Sequence, residues 1–432
     1  MSDASDTDGV VLAADGRPLK ESLRRALRQQ KIRAVALVLP LLIFVIVSFI
    51  MPIGSMLWRS VTNTAGTIDQ PGGGERAAFM TEVLPNVGQA LADWDPASGE
   101  MPSEAVFAAM ATDLTAAFDA KNHTQIGRRF NYETPGMSSL FRKSGRKVSR
   151  MEEPPYREQF LDIDDDWGRV DYWATIKANS GNFTSSYYIA AVDGERTQDG
   201  VQLKESDQRI YQKLMFRTLW LSLLITFCTL VLGYPIAWLL ADLPSRASNL
   251  LLILVLLPFW TSLLVRTSAW KILLQEQGVI NNIWVALTGA ERLSLINNQL
   301  GVVIAMTHIL LPFMILPLYS VMKTIPPTYL RAAKSLGASN WTAFWRVYFP
   351  QTTPGIGAGA LLVFILAVGY FITPEIVGGA DGTFISNRIY YQFSTAGNWG
   401  LAAALGSLML IVVLMLYWLY DKFVGIDNVK LG

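Results

Sequence analysis

One cysteine, Cys228, and two histidines, His123 and His308, are all the thiol and imidazole in 432 residues. A lone thiol excludes an internal disulfide framework and any cysteine-cluster metal site. Two histidines so far apart leave little room for zinc, so no metal site is expected. Charge is scarce too: Asp, Glu, Lys and Arg make up 16% of the chain, where soluble proteins carry roughly 25%. The net charge of +1 offers no electrostatic case for a nucleic-acid partner. Catalytic signatures are missing as well. No Gly-x4-Gly-Lys-Ser/Thr phosphate loop, His-Glu-x-x-His or Gly-x-Ser-x-Gly occurs, so the chain does not bind ATP by the phosphate-loop route and shows no catalytic residue. What it has in excess is apolar surface: 51% apolar residues with 13 Trp and 15 Tyr, and a mean hydropathy of +0.30. Aromatic residues in such numbers suit the belts at membrane interfaces. The composition is that of a membrane protein with a sizeable water-facing part.

The charges are unevenly spread. Of the 71 charged side chains, 39 lie between Ser60 and Lys213, and that block cannot sit in a bilayer. Outside it, six stretches are long enough to cross one, which takes roughly 17–25 helical residues. They run Ala34–Trp58, Thr218–Ala241, Ala247–Val265, Leu293–Met322, Gln351–Pro374 and Ile389–Tyr420. The fourth and sixth exceed a span, so part of each is expected along the interface or in a loop. Prolines within these stretches are tolerated where neighbouring helices satisfy the freed carbonyls.

Lysine and arginine set the orientation. Lys20, Arg24, Arg25, Arg28, Lys31 and Arg33 precede the first stretch, and Lys323, Arg331, Lys334 and Arg346 lie between the fourth and fifth. With Arg246, Lys422 and Lys430 they put 13 basic residues on one side, against Arg266, Lys271, Arg292 and Arg388 on the other. Both termini are therefore expected in the cytoplasm and the charged block outside. The first stretch is too long for a cleaved signal peptide and lacks a small-residue cleavage site.

Within the charged block, Pro102–Ala120 carries Val106, Met110, Leu114 and Ala117 at the spacing of one helical face. Glu104 in its first turn suits the helix dipole. Phe183–Val192, followed by Asp193-Gly194, reads as a strand entering a turn. The basic run Arg142–Arg150 and the acidic run Asp162–Asp166 read as solvated faces. A small, mostly helical domain with some strand is expected.

Inside the spans, His308 is the one group suited to proton shuttling, and its plainer reading is a packing residue bonded to nearby backbone. Glu375, just past Pro374, is the best candidate for an acid facing a cation; an interfacial charge is the equal alternative. So few intramembrane acids count against a stand-alone secondary transporter, and no nucleophile–base pair supports an intramembrane enzyme.

The most informative segment is Ile325–Pro350. Pro326 and Pro327 suit the start of a short helix. Gly337 allows the left-handed residue that stops it, Ser339 can cap a second, and Pro350 is expected to close that one. Ala332 and Ala333 are small enough for a partner to approach closely.

That combination resembles the loop signature of bacterial ABC importer permeases: Glu-Ala-Ala, three residues, Gly, nine residues, Ile-x-Leu-Pro. Ala332, Ala333, Gly337, Val347, Phe349 and Pro350 fall in register, with Arg331 in place of the Glu. Leu257-Pro258-Phe259-Trp260-Thr261-Ser262, Arg266, Ala269-Trp270 and Gly369–Glu375 with Gly378-Gly379 look like segments of the spermidine/putrescine-type permeases, except that Tyr370 replaces an Asp common there. The likeness covers roughly 214–432.

The resemblance implies an all-α polytopic fold of six transmembrane helices in the bacterial inner membrane. Its parts would be a cytoplasmic segment 1–33, a first span 34–58, an extracytoplasmic, mainly helical insertion 59–213 and a core permease domain 214–432. It also implies an ATPase-coupling loop at 323–350, built on Arg331, Ala332, Ala333, Gly337, Val347 and Pro350. Trp260, Arg266, His308, Tyr370 and Glu375 are candidates for the substrate pathway. The expected partners are a second permease subunit, two ATPase subunits holding the ATP and Mg, an extracytoplasmic substrate-binding protein and membrane lipid, with no cofactor in this chain. The cargo would be a small solute, foremost a polyamine, with another amine, an opine or an amino-acid derivative as the alternative.

Overall fold

The computed structural model describes residues 19–70, 73–151, 153–197 and 200–424. Of the basic residues used for orientation, Lys430 lies outside them. They form two units, divided after Trp58. The first is made by a helix from Leu19 to Val45, a π turn, Ile46–Ile50, and the greater part of Met51–Val61, whose last three residues count with the second. Its apolar run Gln30–Val61 is long enough to span a membrane.

The second unit begins with the charged block, which is mostly helical and carries two antiparallel two-stranded ribbons, 64–69 with 75–79 and 194–197 with 200–203. The expected helix is Glu104–Asp119, and Val106, Met110, Leu114 and Ala117 are all buried. They join a core that runs from Ala65 to Ile176 and is centred on Phe107, Phe160, Trp167 and Trp173. The strand expected over Phe183–Val192 is instead a helix, Ser186–Ala191. Tyr187 and Ala191, four residues apart, pack with Leu401 and Leu405, and that contact follows a helical period. Asp193 takes a positive φ of 55°. Its carboxylate then accepts from the backbone N–H groups of Ile210, Tyr211 and Gln212, satisfying the free donors that start the next long helix.

That helix, Ile210–Asp242, packs with Gln299–Thr324 and Phe349–Val368 around a mainly aliphatic core. A Cβ added at Gly359 would lie 2.8 Å from Met314 Sδ, and one at Gly355 3.2 Å from the Leu318 Cα. These two glycines, four residues apart, let helix backbones approach closely, as small residues do in membranes.

Five helices among the described residues are long and apolar enough to cross a membrane, or six if one bent pair counts as a single span. The third stretch is that bent pair. Ser245–Trp260 and Leu263–Thr288 meet at 93°, because Thr261 and Ser262 are extended and the Ser262 hydroxyl caps a new helix by accepting from Val265 N at 3.4 Å. The fourth helix starts at Gln299, capped by Asn298, rather than at Leu293. The fifth ends at Val368, leaving Pro374 on a separate short helix, Ile372–Val377. The sixth stretch is two helices, Ile385–Ser394 and Trp399–Val424, broken where Gly397 takes a φ of +68°.

The charged block is tied to this bundle. Arg129, 3% exposed, pairs with Glu133 at 2.8 Å and donates to Asn63 and Asn179. Its guanidinium lies 4.7 Å from the Tyr187 ring centre, and the neighbouring Tyr132 hydroxyl donates to the carbonyl of Ala396.

Candidate functional site

Two places hold the residues singled out in the sequence: the 325–350 loop, and the far end of the bundle around 266, 308 and 370–375.

The loop begins with a helix, Pro327–Ser335, with proline at its first position. It ends in a paired-bond cap: Ala338 N donates to Ala333 O, and Gly337 N to Lys334 O, both at 3.0 Å. Such a cap needs a left-handed residue, and Gly337 supplies it with a φ of +88°. An added Cβ there would meet nothing within 4 Å, so the demand for glycine is conformational, not steric. Ser339 caps the next helix, accepting from Thr342 N at 3.2 Å.

Pro350 does not close that helix. Asn340–Ala343 runs through a π turn, Phe344–Tyr348, into Phe349–Val368. A π turn spaces the backbone more widely just where proline lacks a donor and its ring would strike the preceding turn. Two short helices with a stop thus become one short helix and one long rod reaching into the bundle. Arg331, Ala332, Gly337 and Pro350 are exposed, while Ala333 and Val347 are half-buried. Leu330 leans on the inner core, so the outer side presents Tyr329, Arg331, Lys334 and Leu336. Leu336 is 89% exposed and Trp341 72%. Lys323 Nζ donates to the carbonyls of Ala241 and Leu243, fastening the loop's first end to the end of Ile210–Asp242.

At the other end, His308 accepts at Nδ1 from Trp270 Nε1 at 3.1 Å, with the rings edge-on at 5.3 Å. The partner is thus a side chain rather than backbone, and His308 is exposed. Arg266 lies within electrostatic reach of His308 and Tyr370. Its guanidinium lies 6.0 Å from the Phe259 ring, and its buried Nε has no hydrogen-bond partner among the described residues. Thr267 and Thr373 share a 3.2 Å hydroxyl contact, which draws the bent pair toward the 372–377 helix. Arg266, His308 and Tyr370 therefore belong to one neighbourhood. Glu375 lies on the adjoining helix and accepts from Asn387 Nδ2 at 2.7 Å. Trp260 is 74% exposed, and no contact among the described residues brings it to the others.

Sequence reasoning missed Trp270 as the partner of His308, and missed Asn387. Trp270 was visible as the residue one helical turn beyond Arg266. Asn387 had no signal, since its role comes from a fold that brings positions twelve apart together across a loop. Among the described residues no group of His, Cys, Asp and Glu could hold a metal.

Residues 212–424 match the family described as "Binding-protein-dependent transport system inner membrane component". The spermidine/putrescine transport system permease protein PotB of Salmonella typhimurium is 38% identical over 214 residues, covering 48% of this chain and 74% of that protein. PotB of Escherichia coli is 38% identical over 48% of this chain and 78% of its own length. The inner membrane ABC transporter permease protein YdcU of Escherichia coli is 33% identical over 225 residues, 49% of this chain and 71% of that one. A crystal structure of a bacterial alginate ABC transporter in complex with an alginate-bound periplasmic protein aligns at 19% identity with a TM-score of 0.44, over 51% of this chain and 80% of its own. Residues 59–211 lie outside the family match.

Proposed function

The chain belongs to the family of binding-protein-dependent transport system inner membrane components and is an ABC importer permease; on that premise we propose that its cargo is a polyamine such as spermidine or putrescine. The observation that carries this reading is the 38% identity to permeases named for spermidine and putrescine, over about three quarters of their length. The bent pair Ser245–Thr288 counts as one span, giving six with both termini cytoplasmic. The insertion 59–213 lies outside, beside the core permease domain 214–432. A binding protein delivers cargo, a second permease completes the pathway, and two ATPase subunits carrying ATP and Mg dock on the 323–350 loops.

Within this chain the work is mechanical. The outer side of Pro327–Ser335 meets the ATPase, and the capped turn at Gly337 fixes that helix against the rod Asn340–Val368. A push on the short helix is then passed along the rod, while Lys323 passes it to Ile210–Asp242. ATP biases this two-state element because the closed ATPases bind one arrangement of the loops better than the other. Arg331, at the start of its helix where a cation is mildly unfavourable, faces an acidic group on the ATPase.

The test is ATP hydrolysis by the assembled complex, with the binding protein loaded in turn with spermidine, putrescine, an opine or a basic amino acid. Stimulation by the polyamines alone is expected. Stimulation by the opine or amino acid with none from polyamines would overturn the cargo assignment and leave the importer class intact.

A further inference from the structure

The end of the bundle away from the loop holds a second cluster, which adjoins the Arg266–His308 neighbourhood through Tyr370 and Thr373. Glu375 is exposed on the short helix Ile372–Val377, and Phe371 precedes it by four residues, with Glu375 N donating to Phe371 O at 3.2 Å. Carboxylate and ring therefore share one face. From the helix Ile385–Ser394, Asn387 Nδ2 reaches both Phe371 O at 3.0 Å and Glu375 Oε2 at 2.7 Å. Tyr390, one turn further on, sets its ring 4.5 Å from that of Phe371, tilted by 43°, and is 51% exposed. Ser386 adds a fastening by donating to Tyr370 O. Among the described residues a single amide holds one carboxylate oxygen, leaving the other for a ligand, and the half-buried Phe371 ring and the open Tyr390 ring complete the patch.

A carboxylate beside aromatic faces is what an ammonium group selects: charge pairs with charge, and the methylene chain and cation lie on the rings. Two of the nearby cations are turned to other partners, while Arg266 lies within electrostatic reach of Tyr370 and His308. Arg388 sits 4.6 Å over Tyr391, and Arg217 donates to Ala380 O. The fifth helix from Phe349 to Val368 separates this patch from the loop by roughly 30 Å at 1.5 Å per residue. The geometry points to Glu375, Phe371 and Tyr390 as a primary-ammonium site on the transport route, with Asn387 as the positioning residue that aims the carboxylate. This assignment rests on the polyamine reading of the cargo, and it gives this chain a direct part in cargo recognition alongside the binding protein.

The test uses the complete complex in proteoliposomes with saturating spermidine-loaded binding protein. Glu375→Gln keeps the shape and the Asn387 contact but removes the charge; uptake should fall at least tenfold, with Glu375→Asp intermediate. Tyr390→Phe should keep most of the uptake and Tyr390→Leu should lose several-fold, a split that follows the ring rather than the hydroxyl. Assembly is read by size exclusion of the purified complex. Glu375→Gln uptake within twofold of wild type would overturn the site, and so would a Glu375→Gln complex that no longer assembles, since the carboxylate would then be an interface ion pair. If the wild-type complex itself takes up no spermidine, the cargo reading fails, and that result is separate from the variants.

Discussion

The two largest cores of the second unit are built on different principles. Between Ala65 and Ile176 the core is aromatic. Phe107 and Trp173 lie 4.8 Å apart, Phe160 and Trp167 4.9 Å, and Trp167 and Trp173 5.2 Å. Both indoles are satisfied inside the core, Trp167 by Ser144 and Trp173 by the carbonyl of Trp167. Between Leu221 and Phe384 the core is mainly Leu, Ile, Val and Met, with Gly355 and Gly359 at a helix contact. Thr218, Thr226 and Thr229 turn their hydroxyls back onto their own helix. A charge-rich block must bury its large side chains for itself, because water drives the burial. Helices whose surroundings are apolar gain little from burial and associate by close packing of small residues. Large apolar side chains such as Phe216, Leu264 and Leu414 accordingly stay exposed.

The contrast can be broken most sharply at Trp167. Trp167→Ala should remove about 3–5 kcal/mol from the aromatic core. In detergent-solubilised full-length protein, limited proteolysis should then cut within 64–178 while the 210–424 helices stay resistant; loss of both together would mean the cores fold as one. The reciprocal change, Gly359→Leu, overpacks the helix contact at about 1–3 kcal/mol. It should lower the yield of intact bundle and leave the protease pattern of the charged block unchanged.

Gly337→Val tests the loop, which belongs to neither core. Forcing a β-branched residue into the left-handed region costs roughly 1–2 kcal/mol, and no described atom beyond its chain neighbours lies within 4 Å of an added Cβ. The bundle should insert and resist protease as before, while stimulation of ATP hydrolysis by loaded binding protein is lost. Wild-type stimulation would show that the cap does not transmit force.

The smallest effect concerns pH. Burial, and then the Arg146 guanidinium, hold His123 below its ordinary 6.5. The unfolded chain therefore takes up a proton that the folded block refuses. Stability should be complete above about pH 6.5 and decline as pH falls from there toward the depressed value. His123→Phe, which keeps a ring against Phe118, should flatten that decline in proteolysis midpoints below about pH 6.5; an unchanged slope would remove His123 from the account.

Much of this was legible in the sequence, for reasons that differ by residue. The helical face Val106–Met110–Leu114–Ala117 and the glycine at 337 follow from local rules: a period, and a backbone angle only glycine reaches easily. The breaks were not legible. The third stretch breaks by 93° at the extended Thr261 and Ser262, close behind Pro258, yet Pro312 and Pro317 sit within one continuous helix, and neighbouring packing decides between those outcomes. Pro350 was misread because a π turn absorbs it, a remedy with no composition of its own. Tyr187 was misread because its partners, Leu401 and Leu405, lie more than two hundred residues away. Of the site, Arg266, His308, Tyr370 and Glu375 could be named, but their grouping and the amide of Asn387 came only with the fold.

The most direct test of the central claim is uptake of labelled spermidine by proteoliposomes from which one component at a time is omitted. Uptake should require ATP, both ATPase subunits, the second permease and the loaded binding protein, and should stop when any one is left out. Uptake by this chain alone, driven by an ion gradient with no ATPase present, would contradict the account.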